Sequence, residues 1–489
     1  MSNNYKSIAK GNALFGGVQI YNIILGVLRN KVVAVLLGPE GMGIMGLLNS
    51  SLDIVRNTTN FGLTTSAVRE VSIANASNDA TKVDTVNSVI TKIVWLTGFL
   101  GTAICFIFAK QLSIWSFDND EYTIHLRILS VVLLIAQLTE ANKIMLQGLR
   151  KLKELAKCNI IGNTLATITV LPLYYFLGFR GIVPAIFAIY IISYIVSSYY
   201  YRGLKIRTTD LSLKETFVKG KTMMTLGFML CFTDILESAT TYIIKIFISN
   251  SGGVSEVGFY NAGFAMILGY VGLVFKAIGT DYFPRLASVS NDKEKFNEVI
   301  NDQMEIMVLA LLPLVGVFIA LSPLLIRVLY TDEFLCISNM INIMAVGMIM
   351  RAISWCPGFM YMARGDSKLY LIIYIITAIV SLILYFVFYS LFGLTGIGVA
   401  FLMSYVLGNP ATFLITRHFY GYRLRKETLV LISISLLFAF LTLLFTFVTS
   451  LYLSYLGLFV CAAVCCLYSF SQLNKRLDLI AFLKSKFSK

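Results

Sequence analysis

Charged and amide side chains recur at helical spacing inside two long apolar runs near the start of this sequence. The first run carries Gln19, Asn22 and Arg29, with Gly26 between them. The second run carries Asn49, Asp53, Arg56 and Asn60. Because successive members are three or four residues apart, a helix places each set on one face. Each run therefore predicts a helix with a polar stripe.

The second half of the chain repeats the pattern with more charge. One apolar run there carries Asp234, Glu237 and Lys245, with Thr241 on the same predicted face. Lys276 follows Gly269 and Gly272 at helical spacing in the next run, and Arg351 lies near the middle of a later one. Five cations (Arg29, Arg56, Lys245, Lys276 and Arg351) thus stand against three carboxylates (Asp53, Asp234 and Glu237).

This balance predicts an anion-binding cavity. A charge at bilayer depth costs about 2.5–3.5 kcal/mol, so such residues usually face a water-filled cavity. Guanidinium groups bind phosphate through paired hydrogen bonds, so a diphosphate fits the stripes better than a cation does. The substrate-binding residues predicted beside the five cations are the amides Gln19, Asn22, Asn49 and Asn60.

Other roles remain open for these residues. Asp53, Asp234 and Glu237 would suit coupling to a proton or a sodium ion, but structural ion pairing explains them equally. Asp53 and Arg56 are one helical turn apart and would suit a mutual ion pair. Lys245 and Lys276 lie near predicted helix ends, where a lysine can extend to the membrane surface.

Composition defines the elements that must position these residues. The chain is 57% hydrophobic and only 13% charged, and its mean hydropathy is +0.78. Apolar runs of the roughly 20 residues that cross a bilayer recur from end to end. The sequence therefore predicts an all-α integral membrane protein with fourteen transmembrane helices. The first apolar run follows a basic flank without a cleavage pattern, which predicts an uncleaved first span.

The net charge of +14 follows the predicted topology. With the N-terminus in the cytoplasm, 29 cations fall in cytoplasmic loops and tails and three in the opposite loops. The positive-inside rule then places both termini in the cytoplasm. Because the cations are spread over loops and form no patch, they do not indicate nucleic-acid binding.

The two halves of the sequence match at a constant offset of 215 residues. The matched pairs are Gly43 with Gly258, Lys153 with Lys368, Gly178 with Gly393, Gly181 with Gly396 and Ala185 with Ala400. The offset predicts an N-terminal lobe of six spans (1–215), a C-terminal lobe of six spans (216–427) and a helix pair with a basic cytoplasmic tail (428–489). Parallel six-helix lobes suit alternating access to a central site. The alternative is a duplication that only enlarges the bundle.

Common catalytic and cofactor signatures are missing from the sequence. It has two histidines, no P-loop motif, and eight cysteines at no metal-ligand spacing. We therefore expect no metal, no cofactor and no enzymatic activity.

The segment at residues 28–70 carries a family resemblance. It reads LRNKVVAVLLGPEGMGIMGLLNSSLDIVRNTTNFGLTTSAVRE. It resembles the opening of Wzx-type O-antigen flippases, in the polysaccharide transporter branch of the multidrug/oligosaccharidyl-lipid/polysaccharide superfamily. RVLYTDEF at 327–334 is also similar to members of this family.

The resemblance implies a two-lobed fold in a bacterial inner membrane. It implies movement of an undecaprenyl-pyrophosphate-linked oligosaccharide, such as an O-antigen repeat unit, from the cytoplasmic to the periplasmic leaflet. The role of cavity cations that face the diphosphate would fall to Arg29, Arg56, Lys245, Lys276 and Arg351. Membrane lipids, a polysaccharide polymerase and chain-length machinery are the implied partners.

Three other interpretations remain. A multidrug or cation antiporter of the same superfamily would use the carboxylates to bind cationic drugs, which the excess of cations disfavours. A membrane-embedded polysaccharide polymerase or acyltransferase would need a catalytic loop or histidine. A membrane scaffold without transport activity would not need polar stripes, which are costly in lipid.

Overall fold

The computed structural model describes residues 2–77, 79–290 and 292–477. The end of the predicted basic tail, residues 478–489, lies outside the described residues. Throughout the described ranges the chain is helical and has no strand. The helices are α1 (Ser2–Thr59), α2 (Leu63–Ala76), α3 (Ala80–Ile107), α4 (Ala109–Phe117), α5 (Thr123–Gly148), α6 (Leu152–Leu177), α7 (Ile182–Arg202), α8 (Leu213–Gly252), α9 (Val254–Met266), α10 (Leu273–Ser288), α11 (Lys293–Leu329), α12 (Ser338–Ala363), α13 (Ser367–Tyr420), α14 (Lys426–Phe445) and α15 (Leu451–Leu477).

Ten helical segments among the described residues are long and apolar enough to cross a membrane, which confirms the all-helical, multi-pass class. Three of them, Gly16–Thr59, Leu152–Arg202 and Ser367–Tyr420, contain 44 to 54 residues. A single crossing needs about 20 residues. Each of the three is interrupted near its middle, at Gly38, at Gly178–Gly181 and at Gly393. The count of fourteen spans stays a prediction.

The interruptions follow the offset found in the sequence. Gly178 has a φ of 55° and Gly393 a φ of 57°. Gly38 has a φ of 62° and Gly253, which is 215 residues further along, a φ of 91°. A side chain is strained in this left-handed region, whereas glycine is not. The sequence repeat thus has a structural counterpart at the points where the long helices break.

By their contacts, the described residues within 1–258 and 329–331 form one unit, and those within 259–328 and 332–477 form a second. In the first unit, α3 packs on α5, and α7 packs on both α5 and α6. Helix α8 contacts α1, α2, α3 and α4 and so belongs to this unit. The three-part division at residues 215 and 427 stays a prediction.

A cluster of buried side chains joins α2, α3 and α5 in the first unit. It includes Leu63, Ala67, Ile90, Ile93, Ile144 and Met145. Small residues such as Ala67, which is fully buried, let helices approach closely. Close packing of this kind holds the frame on which the polar stripes lie.

In the second unit, a charged cluster ties the last two helices to α11. Glu305 of α11 has a side chain only 7% exposed. It accepts hydrogen bonds from Arg476 Nε at 2.6 Å and from Thr428 Oγ1 at 2.5 Å. Arg425 lies 3.6 Å from the same carboxylate and also pairs with Asp302. Because two guanidinium groups meet one nearly buried carboxylate, α14 and α15 are held to α11 at this end.

Candidate functional site

Two predicted cations of the first unit, Arg29 and Arg56, lie in one region of its helices. Tyr190 of α7 is within electrostatic range of Arg29, Asp53, Arg56 and Glu140. Helical spacing alone places Asp53 and Arg56 on one face of α1, and the packing of α7 brings the other groups near them. This region, made by these five residues, is called the Tyr190 cluster below.

Arg29 is the cation of the Tyr190 cluster that lacks a carboxylate partner. Its side chain is half-buried, and within the described residues no ion pair involves it. A guanidinium held in a membrane span without a counter-charge is costly. Among the described residues, the guanidinium of Arg29 therefore keeps its charge without an ion-pair partner.

Asp53 and Arg56 form the ion pair that their spacing allows. Arg56 Nη2 lies 3.2 Å from Asp53 Oδ1, and the side chains are 34% and 45% exposed, respectively. A pair this exposed is worth about 0–1 kcal/mol. The contact uses one guanidinium nitrogen, so Arg56 keeps other N–H donors outside this pair.

The polar stripes of α1 and α8 face each other in the first unit. Lys245 Nζ donates to Ser50 Oγ at 2.8 Å, and Asn57 Nδ2 donates to Ser238 Oγ at 2.6 Å. Asp53 is also within electrostatic range of Lys245. Some polar side chains on these faces therefore link α1 to α8 by hydrogen bonds. Such structural pairing was one of the roles left open for the predicted site residues.

The predicted amides also make contacts between helices. Asn22 Oδ1 accepts a hydrogen bond from Asn163 Nδ2 of α6 at 2.8 Å. Asn60 Nδ2 donates to Thr64 Oγ1 at 3.3 Å. Gln19 is exposed and Asn49 is half-buried. The structure thus engages Asn22 and Asn60 within the protein and leaves Gln19 accessible.

The other two predicted carboxylates, Asp234 and Glu237, lie on α8. Asp234 and Glu237 are both exposed. Asp234 forms no ion pair within the part of the chain that the structure describes. They share one face of α8, so two accessible anionic groups lie together on this helix.

In the second unit, Arg351 of α12 is held by an aromatic ring. Its guanidinium carbon lies 5.2 Å from the centre of the Phe275 ring, and Tyr385 is within electrostatic range. Arg351 is half-buried and has no ion pair among the described residues. A cation–π contact orients a guanidinium without neutralising it. Lys276, next to Phe275, is exposed.

Sequence reasoning missed several polar residues of the first unit. Glu140 and Lys143 lie 3.8 Å apart on α5, and Glu140 belongs to the Tyr190 cluster. The signal was the pair of charges, one turn apart, in TEANK at 139–143. Tyr190 and Asn163 gave no comparable signal, because single tyrosines and asparagines are common in helices.

Taken by unit, the arrangement suits binding of an anion. Arg29 and Arg56 in the first unit and Arg351 in the second present N–H donors that are not fully paired. Within the described residues, no group of histidines, cysteines and carboxylates has the geometry to hold a metal ion.

The fold is that of known membrane transporters. The chain is 19% identical to the lipid II flippase MurJ in an inward closed conformation, over 96% of this chain and 100% of that one, with a TM-score of 0.71. It is 14% identical to an inward-facing multidrug resistance MATE family transporter of the MOP superfamily, over 83% and 94% of the two chains, with a TM-score of 0.66. A MOP superfamily transporter from Pyrococcus furiosus, with a binding pocket described as reversed in polarity, matches at 15% identity over 84% and 96%, with a TM-score of 0.58.

The sequence itself identifies the family. Residues 32–339, more than half of the chain, match the family described as polysaccharide biosynthesis protein, and the chain belongs to that family. No curated protein matches the sequence. The predicted family resemblance is confirmed, and the protein is a multi-pass membrane protein of polysaccharide biosynthesis with a transporter fold.

Proposed function

We propose that the protein is a flippase for a lipid-linked oligosaccharide in a bacterial inner membrane. The substrate is an undecaprenyl-pyrophosphate-linked repeat unit, such as that of O-antigen, and it moves from the cytoplasmic to the periplasmic leaflet. Both termini are cytoplasmic in this proposal. The observation that carries it is the presence of half-buried arginines in membrane spans, Arg29 and Arg351, that lack carboxylate partners.

The head group of such a substrate sets the physical problem. Several sugars and a diphosphate cannot enter hydrocarbon without losing their hydrogen bonds to water. The arginines would replace water around the diphosphate, because guanidinium and phosphate form paired, charge-assisted hydrogen bonds. The polyprenyl tail would stay in lipid while the lobes alternate between the two faces.

The membrane potential favours export of this head group. For a dianion that crosses the full field, the gain is about 4–5 kcal/mol per 100 mV. Asp234 and Glu237 would add coupling to a proton or sodium ion, and their exposure supports this role. Asp53 is the weaker candidate, because Arg56 already pairs with it.

Substitution of Arg29 tests the proposal. Loss of a charge-assisted hydrogen bond costs about 1.5–3 kcal/mol, so Arg29→Ala should slow transport at least tenfold. Arg29→Lys keeps the charge but loses the paired hydrogen bonds of a guanidinium. Its transport rate should therefore lie between those of wild type and Arg29→Ala. The assay is accumulation of the lipid-linked oligosaccharide on the cytoplasmic leaflet of cells that carry each variant.

The matched control is Lys110→Ala, because Lys110 is an exposed cation that belongs to none of the polar stripes. It should transport normally. The amount of protein in the membrane fraction must be equal for all variants. Normal transport by both Arg29→Ala and Arg351→Ala would contradict the diphosphate role.

A multidrug or cation antiporter is the second candidate. It is favoured by the exposure of Asp234 and Glu237 on α8, since carboxylates bind organic cations. An antiporter predicts that deletion of the gene sensitises cells to cationic drugs and leaves the lipid-linked oligosaccharide unchanged. The flippase predicts the reverse.

A further inference from the structure

A large cavity with both polar and apolar lining lies at one end of the first unit. Its volume is about 1250 Å³, above the 300–1,000 Å³ typical of small-molecule sites. Residues at the end of α2, the start of α3, the end of α5, the start of α6 and the end of α7 line it. These helix ends face the side that the distribution of cations predicts to be cytoplasmic. None of the residues discussed above as diphosphate ligands lines this cavity.

The charges that line the cavity balance. They are Asp79, Asp84, Glu154, Lys151, Arg202 and Lys205. Within the described residues, the side chains of Glu154, Lys151, Arg202 and Lys205 have no ion pair or hydrogen bond. Three anions and three cations line the cavity, so the lining carries no net formal charge. Its free donors and acceptors suit a neutral ligand rich in hydroxyl groups.

Three tyrosines supply part of the apolar surface of the cavity, beside aliphatic side chains. Tyr194, Tyr199 and Tyr200 come from the last turns of α7. The ring of Tyr199 is 74% exposed and meets that of Tyr200 edge to face, with 5.4 Å between centroids. An exposed aromatic face packs against the C–H face of a sugar, and the phenol hydroxyl remains available for hydrogen bonds.

Residues 203–206, which follow α7, form one wall, and the segment directly after them is fixed in place. The Arg207 N–H donates to Asp84 Oδ1 at 3.0 Å, and the Thr209 N–H donates to Ser88 Oγ at 2.7 Å. Lys92 donates to a carbonyl two residues further along. Asp84, Ser88 and Lys92 are four residues apart on one face of α3. Residues 207, 209 and 211, which alternate along the extended segment, bond to them in that order. The wall is therefore formed before a ligand arrives.

Asp79 lines the cavity directly before α3, in its ionised form, with its carboxylate 3.9 Å from Lys82 Nζ. It caps α3, and hydrogen bonds from the hydroxyl and N–H of Thr81 keep the pKa of its carboxyl below the usual range. Asp79, one of the three anions of the lining, is therefore negatively charged at neutral pH.

From this geometry we propose that the cavity is a binding site for neutral sugar residues, which receives the glycan of the substrate at the cytoplasmic face. The inference rests on the proposed function for the source of the glycan. It adds a second site, for sugars, to the arginines proposed for the diphosphate. Sugar recognition by aromatic faces and hydroxyl hydrogen bonds would retain the head group while the diphosphate is captured elsewhere.

The test measures binding of the full-length protein in detergent to an array of neutral and charged oligosaccharides. Wild-type protein should bind neutral glycans, and Tyr199→Ala should lower that signal about fivefold. Tyr199→Phe keeps the ring and should retain most of the binding. Tyr175→Ala is the matched control, because Tyr175 is also exposed but does not line the cavity. Inorganic pyrophosphate should not displace the glycans.

Each result decides the proposal. Binding of charged glycans or anionic lipid only, displacement by pyrophosphate, or equal binding by Tyr199→Ala and wild type would overturn it. Absence of binding to any neutral glycan would overturn it as well. If Arg29→Ala stops transport while Tyr199→Ala changes neither binding nor transport, the sugar site is wrong and the flippase stands. If Tyr199 governs binding but deletion of the gene causes no accumulation of lipid-linked oligosaccharide, the flippase is wrong and the sugar site stands.

Discussion

Two glycines in the first unit make a reciprocal helix crossing that a methyl group should break. A Cβ at Gly43 would lie 1.9 Å from the carbonyl oxygen of Val254, and a Cβ at Gly258 would lie 1.9 Å from that of Pro39. Gly43 and Gly258 are 215 residues apart, and so are Pro39 and Val254. The crossing is thus symmetric, and each half of the repeat supplies one glycine and one carbonyl.

The distances set the size of the effect. Cβ atoms essentially never approach another heavy atom within 3.0 Å, so the helices must separate by at least about 1.1 Å. The opposing atom is a backbone oxygen, which cannot rotate away. Overpacking that forces a backbone shift costs about 1–3 kcal/mol. We expect Gly43→Ala and Gly258→Ala to destabilise the protein by similar amounts.

Thermal unfolding of the purified protein in detergent, followed by intrinsic fluorescence, measures the loss. Each variant should melt a few degrees lower, since 1 kcal/mol shifts Tm by about 2–4 °C in domains of 150–250 residues and less in longer chains. The double variant should be less destabilised than the sum of the two, because one separation of the helices relieves both clashes. Gly26→Ala, with nothing within 4 Å of its Cβ, is the control. Single variants as stable as this control would refute the reasoning, and so would strict additivity.

Three further predictions concern other parts of the chain. Glu305→Ala should cost about 2 kcal/mol and loosen α15, because Arg476 loses its partner; limited proteolysis should then cut α15 faster than in wild type. Gly178→Ala and Gly393→Ala should each lower stability by about 1–2 kcal/mol, and equally, because both have positive φ; equal shifts in Tm would show this. Hydrogen bonds from Ser212 lower the pKa of Glu215. The folded pKa lies below the unfolded value of about 4.3, so the stabilisation is present above that pH and is lost as pH falls through the folded value. Hydrogen exchange at the start of α8 should therefore quicken in acid, and Glu215→Gln should lose this pH dependence.

The sequence by itself determined the class of fold and the make-up of each polar stripe. Long apolar runs require helices in a bilayer, because backbone groups in lipid must bond within their own segment. Spacing of three residues allowed an ion pair between Asp53 and Arg56 as one of the roles left open, since helical geometry makes such residues neighbours, and the pair forms. The 215-residue offset likewise marked Gly178 and Gly393, where the long helices break.

Only the tertiary structure decided which stripe faces which. Lys245 meets Ser50 across 195 residues, and the Tyr190 cluster joins α1, α5 and α7. Helical periodicity fixes neighbours within one or two turns, whereas contacts between helices depend on their rotation and crossing, which no local pattern encodes. For the same reason the cavity beneath Tyr199, built from the ends of five helices, has no signature in the sequence.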